Sequence, residues 1–166
     1  MTDRLAALAT LTTLPGEARE GALADFAERY REEPLVLDKW FTLQASIPED
    51  GTLARVRNLM NHPAFSLANP NRVRALVGAF GMANQAQFNR ADGAGYAFLA
   101  EIVLAIDPSN PQLASRLATA FGPWRMMEVQ RRSHVEKILR EIAEKPSLSR
   151  DLGDIVQRSL MEAVTT

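Results

Sequence analysis

Cysteine is absent from the 166 residues, and histidine occurs only twice, as His62 and His134. The first absence removes disulfides, thiolate zinc sites and cysteine nucleophiles together, and it agrees with a reducing compartment. The second leaves little for a metal centre, because a zinc peptidase helix needs two histidines four residues apart with a glutamate between them. Charge of one sign is also lacking. With 19 Lys and Arg against 20 Asp and Glu the formal charge is −1, so no cationic surplus exists to neutralise a phosphate backbone. We expect no nucleic-acid partner and no membrane partner. No apolar run approaches the ~20 residues that a spanning helix needs. The mildly apolar stretch from Leu5 to Leu14 has Asp3 in front of it, and no small-residue cleavage site follows. These features predict a cytoplasmic chain.

What is present is a globular composition, 46% hydrophobic and 23% charged, on a length near that of one ordinary domain. Apolar residues recur at helical spacing almost everywhere, with no clean alternation of the kind a half-buried strand shows. The spacing predicts a short helix from Asp3 to Thr13, stopped by Pro15 and Gly16. A second, from about Glu17 to Glu32, buries Leu23, Phe26, Ala27 and Tyr30. Pro34 restarts the chain into a third helix with Leu37, Trp40 and Phe41 on its core face. Leu53, Val56 and Met60 mark a fourth, closed by His62 and Pro63. Gly93 to Ile106 is apolar nearly all round, with Glu101 its only charge, which predicts the most buried helix. A charged helix from about Arg125 to Lys145 turns Val135, Ile138, Leu139 and Ile142 inward, and a last one, capped by Ser149, docks through Leu152, Ile155, Val156 and Leu160. The expected fold is all-α, about nine helices, in a single domain over residues 1–166.

Two helix starts share one device. Asn69-Pro70 and Asn110-Pro111 each place an Asn at the N-cap, where its side chain accepts from an orphan backbone N–H, and a Pro at the first helical position. Aligned from those Asn residues, the segments match again at Leu76 and Leu117, Ala79 and Ala120, and Phe80 and Phe121. The offset is that of HEAT or armadillo repeats, although shared helix grammar also produces such matches. A curved α-solenoid-like stack is the corresponding architecture.

Chemistry is sparse. No Gly-x-Ser-x-Gly elbow occurs, and the serines have no identifiable base. Asp92-Gly93-Ala94-Gly95 opens a helix but lacks a following Lys-Ser/Thr, which favours a capped tight turn over an anion cradle. Glu101, alone in an apolar helix, is the best candidate for a perturbed carboxylate, with an interhelix hydrogen bond as the plainer alternative. Trp40 and Trp124 read as packing anchors, and the charged run from Arg125 to Lys145 as a solvated face. Arginine positions are more informative. On a helical wheel Arg74 falls on the side of Gly78 and Gly81, about a quarter turn off the stripe of Val73, Leu76, Val77 and Phe80. Gln112, Arg116 and Thr119 share a face of the second Asn-Pro helix, apart from Leu113, Leu117, Ala120 and Phe121. Guanidinium and amide groups there suit a carboxylate or a peptide backbone, or they are solvated or tied to neighbouring helices.

Three strings, taken in order and spacing, are distinctive: Asn69-Pro70-Asn71-Arg72-Val73-Arg74-Ala75-Leu76-Val77-Gly78-Ala79-Phe80, then Asp92-Gly93-Ala94-Gly95-Tyr96, then Asn110-Pro111-Gln112-Leu113-Ala114-Ser115-Arg116-Leu117. Together they resemble the C-terminal helical domain of the bacterial zinc aminopeptidase N family. The clear match runs from about Met60 to Leu117, and beyond Phe121 it weakens, so that it assigns no role to His134 or to the last two helices.

The resemblance implies part of a larger, multidomain exopeptidase in which another domain holds the zinc, the glutamate base and the recognition of the free amino group. The helical domain would wall an internal cavity, restrict access and help orient the peptide, with Arg74, Gln112 and Arg116 as substrate-binding residues. Its partners would be the catalytic and other domains of the same polypeptide and peptide substrates. It would hold no catalytic residue, metal or cofactor of its own, and alone it should be inactive. The competing expectation is a free-standing HEAT-like scaffold that binds a protein partner.

Overall fold

The computed structural model describes residues 2–161, all of whose regular structure is helical. The order is α1 (Thr2–Leu11), α2 (Glu17–Arg29), α3 (Pro34–Ala45), α4 (Thr52–Leu59), α5 (Pro70–Val73), a π segment (Arg74–Gly78), α6 (Ala79–Ala83), α7 (Gln85–Phe88), α8 (Ala94–Ile106), α9 (Pro111–Ala118), a 3-10 segment (Thr119–Met126), α10 (Val129–Ala143) and α11 (Arg150–Met161). The all-α expectation holds. The chain read from sequence as one domain gathers its contacts in two compact units, one running through Asn84 and the other starting at Gln85.

In the first unit α3 is the central element. Pro34 occupies its first turn, where a missing N–H costs nothing. Leu37, Trp40 and Phe41 are buried along its length, as their spacing predicts, against Val56 of α4 and Val73, Leu76, Val77 and Phe80 of the α5–α6 run. Trp40 anchors the neighbouring helix as well, its indole N–H donating to Leu23 O at 2.8 Å. Each large apolar side chain withdrawn this fully from water contributes about 1.5–3 kcal/mol.

In the second unit α8 is the apolar centre, with Phe98, Leu99, Ile102, Val103 and Ile106 buried against α9 and α10. Its lower end is tied to α11 by Asp107. That carboxylate, 3% exposed, accepts from the Ser149 N–H at 2.8 Å and from the Ser149 hydroxyl. Ser149 in turn accepts from Leu152 N at 3.2 Å, which is the cap expected for the last helix.

One boundary differs from expectation. The charged helix starts at Val129 rather than near Arg125, and Glu128 caps it, its carboxylate accepting from Gln130 N at 2.7 Å and Arg131 N at 2.9 Å. Residues before it form a 3-10 segment containing Pro123. The reason is tertiary. Trp124 Nε1 donates to Ser159 O at 3.1 Å, and the Arg125 guanidinium reaches Ser159 O and Leu160 O at 3.1 and 2.6 Å, while lying 4.3 Å from the Trp124 ring centre. Those carbonyls belong to the last described turn of α11.

Candidate functional site

The donor face of α9 is built by its cap and its stripe. Asn110 accepts from Leu113 N at 3.0 Å and fixes where the helix begins. Leu113, Ala114, Leu117 and Ala118 then turn inward, and a rotation of about 100° per residue leaves Gln112, Arg116 and Thr119 outward. All three are exposed. Thr119 spends its hydroxyl on Arg116 O at 2.6 Å. The Arg116 guanidinium and the Gln112 amide make no hydrogen bond or ion pair among the described residues. One turn of helix thus presents a planar fork of donors beside an amide, open to whatever lies outside.

Arg74 lies in the first unit, Gln112 and Arg116 in the second. Its guanidinium is exposed and donates from Nη1 to Asn71 Oδ1 at 3.1 Å. The regular wheel, which put it beside Gly78 and Gly81, is corrected: both glycines are buried while Arg74 faces solvent. Residues Arg74–Gly78 form a π turn, and closing on i+5 instead of i+4 inserts one extra residue. Everything after the turn is therefore rotated by about 100° relative to Arg74.

The other arginine of that string does something different. Arg72 is 5% exposed and is spent on the fold: Nε donates to Ala64 O at 2.8 Å, Nη1 to Pro34 O at 2.7 Å and to the Asp38 carboxylate. The sequence did not single it out, because Asp38 and Pro34 lie more than thirty positions upstream. A second charged cluster was equally invisible. Arg19, 5% exposed, pairs with Glu49 at 2.6 and 2.9 Å, and Arg55 with Glu20 at 2.7 and 2.9 Å. The Arg19 guanidinium holds the Glu49 carboxyl below its ordinary range, and Arg55 does the same for Glu20.

Glu101 needs correction too. It is exposed, on the one outward stripe of α8 with Ala97 and Ala105, so the apolar residues that surround it in sequence point elsewhere. His62 is half-buried between Trp40 and Phe41, with ring centres 5.2 and 5.6 Å away, and its Nδ1 accepts from Ala64 N at 3.1 Å. Burial, helped by the charge of Arg72, pushes its pKa down. His134 stands against Gly93, which has a left-handed φ of +74°. The Asp92 carboxylate accepts from Ala94 N at 3.0 Å there, so the Gly-rich stretch is the capped turn rather than an anion cradle. An open cleft of about 550 Å³ lies in the first unit between Ala24, Ala27, Leu37 and His62. Its Glu28 and Arg31 pair with each other at 2.6 Å, and none of Arg74, Gln112 and Arg116 lines it.

Residues 1–161 match a family described as a domain of unknown function (DUF3458_C) with ARM repeats. The chain belongs to that family. An ARM-repeat description agrees with the paired Asn-Pro helices, whose equivalent core positions Leu76 and Leu117, and Phe80 and Phe121, are all at most 2% exposed. Proteins named Aminopeptidase N are similar to it over 96% of its length: one from Caulobacter vibrioides at 41% identity, one from Haemophilus influenzae at 38% and one from Escherichia coli at 36%. The chain spans 18% of the length of each of these relatives. Among solved structures, Legionella pneumophila aminopeptidase A in complex with aspartic acid superposes with a TM-score of 0.89 at 31% identity, over 96% of this chain and 19% of that one.

Proposed function

We propose that the chain is the C-terminal helical domain of a zinc-dependent aminopeptidase N, which removes N-terminal residues from peptides, and that the domain walls the internal cavity and orients the downstream part of the substrate. The observation that carries this reading is the similarity, over 96% of the chain, to proteins named Aminopeptidase N. The open donor face of α9 supports its finer part. A guanidinium fork and a primary amide about 6 Å apart along a helix suit the carbonyls and terminal carboxylate of a peptide, and charge-assisted bonds of this kind are about twice as strong as neutral ones. Arg74 offers a further guanidinium, restrained among the described residues by Asn71.

Zinc, where bound, activates water for attack on the scissile carbonyl. In this reading that chemistry is supplied by another domain of the same polypeptide. What these residues contribute is binding and orientation.

In the full-length enzyme, Arg116→Ala should lower kcat/KM on a longer peptide by about tenfold, the worth of one charge-assisted contact, and leave a single-residue chromogenic amide nearly unaffected. Equal losses on the two substrates would remove the downstream-binding role. Zinc-dependent turnover of aminoacyl amides by the purified 166-residue chain would overturn the assignment of catalysis to another domain.

A further inference from the structure

The hydrogen bonding of the π segment leads outside its own helix. In an α-helix the Ala79 N–H would donate to Ala75 O; here it is shared between Arg74 O, closing the i+5 turn, and Leu76 O. The Ala75 carbonyl therefore does not receive the Ala79 N–H, on a residue only 9% exposed, and a backbone carbonyl left unmatched away from water is costly. The group that meets it is the Thr42 hydroxyl of α3, at 3.0 Å. The same hydroxyl lies 3.0 Å from Asp38 O, the acceptor four residues back that a helical threonine ordinarily uses. One hydrogen serves both carbonyls, and a neighbouring helix thus takes over the bond that the wide turn gives up.

The consequence falls on Arg74. Val73, Leu76, Val77 and Phe80 are fully buried on either side of the wide turn, so the stripe is locked and cannot absorb a change of helical register. Returning the segment to α geometry would rotate Arg74 by about a quarter turn relative to Gly78 and everything after it. We infer that Thr42 is a positioning residue: by satisfying Ala75 O it holds the π turn open and so sets the direction in which Arg74 leaves the helix. This rests on the proposed role of Arg74 in peptide binding. Thr42 itself touches no substrate.

The test uses the full-length enzyme and separates KM from kcat on two substrates, a longer peptide and a single-residue chromogenic amide. Thr42→Val keeps the shape and removes the hydroxyl; Thr42→Ser keeps the hydroxyl; Thr42→Ala serves as a second deletion should valine disturb folding. With one neutral hydrogen bond at stake, Thr42→Val and Thr42→Ala should raise KM for the peptide about fivefold. Both should leave kcat on the chromogenic amide unchanged, and Thr42→Ser should behave as the parent. Combined with Arg74→Ala, Thr42→Val should add nothing to the loss from Arg74→Ala alone. A peptide KM that rises for Arg74→Ala but not for either hydroxyl deletion would overturn the positioning role and leave the Arg74 assignment standing, as would losses that add in the double variant or that serine fails to rescue. A peptide KM unmoved by Arg74→Ala would overturn both.

Discussion

Gly93 approaches His134 so closely that a Cβ at position 93 would stand 2.8 Å from the imidazole Cγ. The same glycine has φ +74°, so two separate demands exclude a side chain there. They separate experimentally. Gly93→Ala should destabilise the fold by the left-handed cost of about 1–2 kcal/mol plus the displacement of His134. In a His134→Ala background the clash with the imidazole is gone, leaving the backbone part and a tight 3.2 Å contact with the Cβ at position 134, and the double-mutant cycle measured by chemical denaturation should show coupling. Gly95→Ala should be worse than either. Its Cβ would overlap the carbonyl oxygen of Phe88 and stand 2.8 Å from that of Gln87, and backbone cannot swing aside as an imidazole can.

The pairing of Arg72 with Asp38 gives a second prediction. Removing the carboxylate by Asp38→Ala strands a guanidinium whose side chain is 6% exposed, with only the carbonyls of Pro34 and Ala64 left to it. Loss of one partner of a buried pair destabilises strongly, and partial access of water to Asp38 moderates it, so about 2–4 kcal/mol is expected. Asp38→Asn keeps an acceptor in place and should cost about half as much. Urea denaturation of the two variants decides the order; if they are equal, a neutral acceptor at position 38 contributes nothing and the whole loss belongs to the charge of Asp38.

The features legible in the sequence were those that a helix sets within about one turn. Pro34, Asn69 and Asn110 announced helix starts because a cap acts on N–H groups two or three residues away, and the stripes of α3, α9 and α11 were visible as spacing. The features missed depend on partners far along the chain. The π turn at Arg74 needs Thr42, the burial of Arg72 needs Asp38, and the break before Val129 needs the carbonyls of Ser159 and Leu160. Glu101 failed for a related reason: an apolar neighbourhood in sequence is not one in space when a helix has a single outward stripe. For the candidate site, Gln112 and Arg116 were correctly put on one outward face. The direction of Arg74 was not, because a wheel assumes the regular turn that this segment abandons.

The two Asn caps predict unequal losses. Asn69 accepts from both Asn71 N and Arg72 N, at 3.0 and 3.3 Å, and it starts the helix that places the buried Arg72. Asn110 accepts only from Leu113 N. Each Asn→Ala change should cost about 1 kcal/mol, with Asn69→Ala the larger. Thermal melts of the two variants test the ranking, and hydrogen exchange at the Asn71 and Arg72 amides should rise in the first alone.

His62 predicts how stability responds to mild acid. Its pKa in the folded protein lies below the ordinary value, first because of burial and then because of Arg72, and its Nδ1 is committed as an acceptor from Ala64 N. Above an ordinary histidine pKa of about 6.5 the ring is neutral in both folded and unfolded chains, and its contribution is complete. As pH falls below that value the unfolded chain takes up the proton first, so stability is lost until the depressed folded pKa has also been passed. Glu20 and Glu49, whose carboxyls are held low by Arg55 and Arg19, act in a separate window: their contribution is complete above an ordinary glutamate pKa of about 4.3 and is lost below it. Between about pH 7 and pH 5, therefore, the fall in melting temperature should contain a His62 component that the carboxylates do not supply. His62→Asn offers an acceptor near the Nδ1 position and carries no charge. It should lower the melting temperature at every pH through lost ring packing while flattening the slope across that window. A slope that matches the parent protein would show that His62 protonation is not linked to folding.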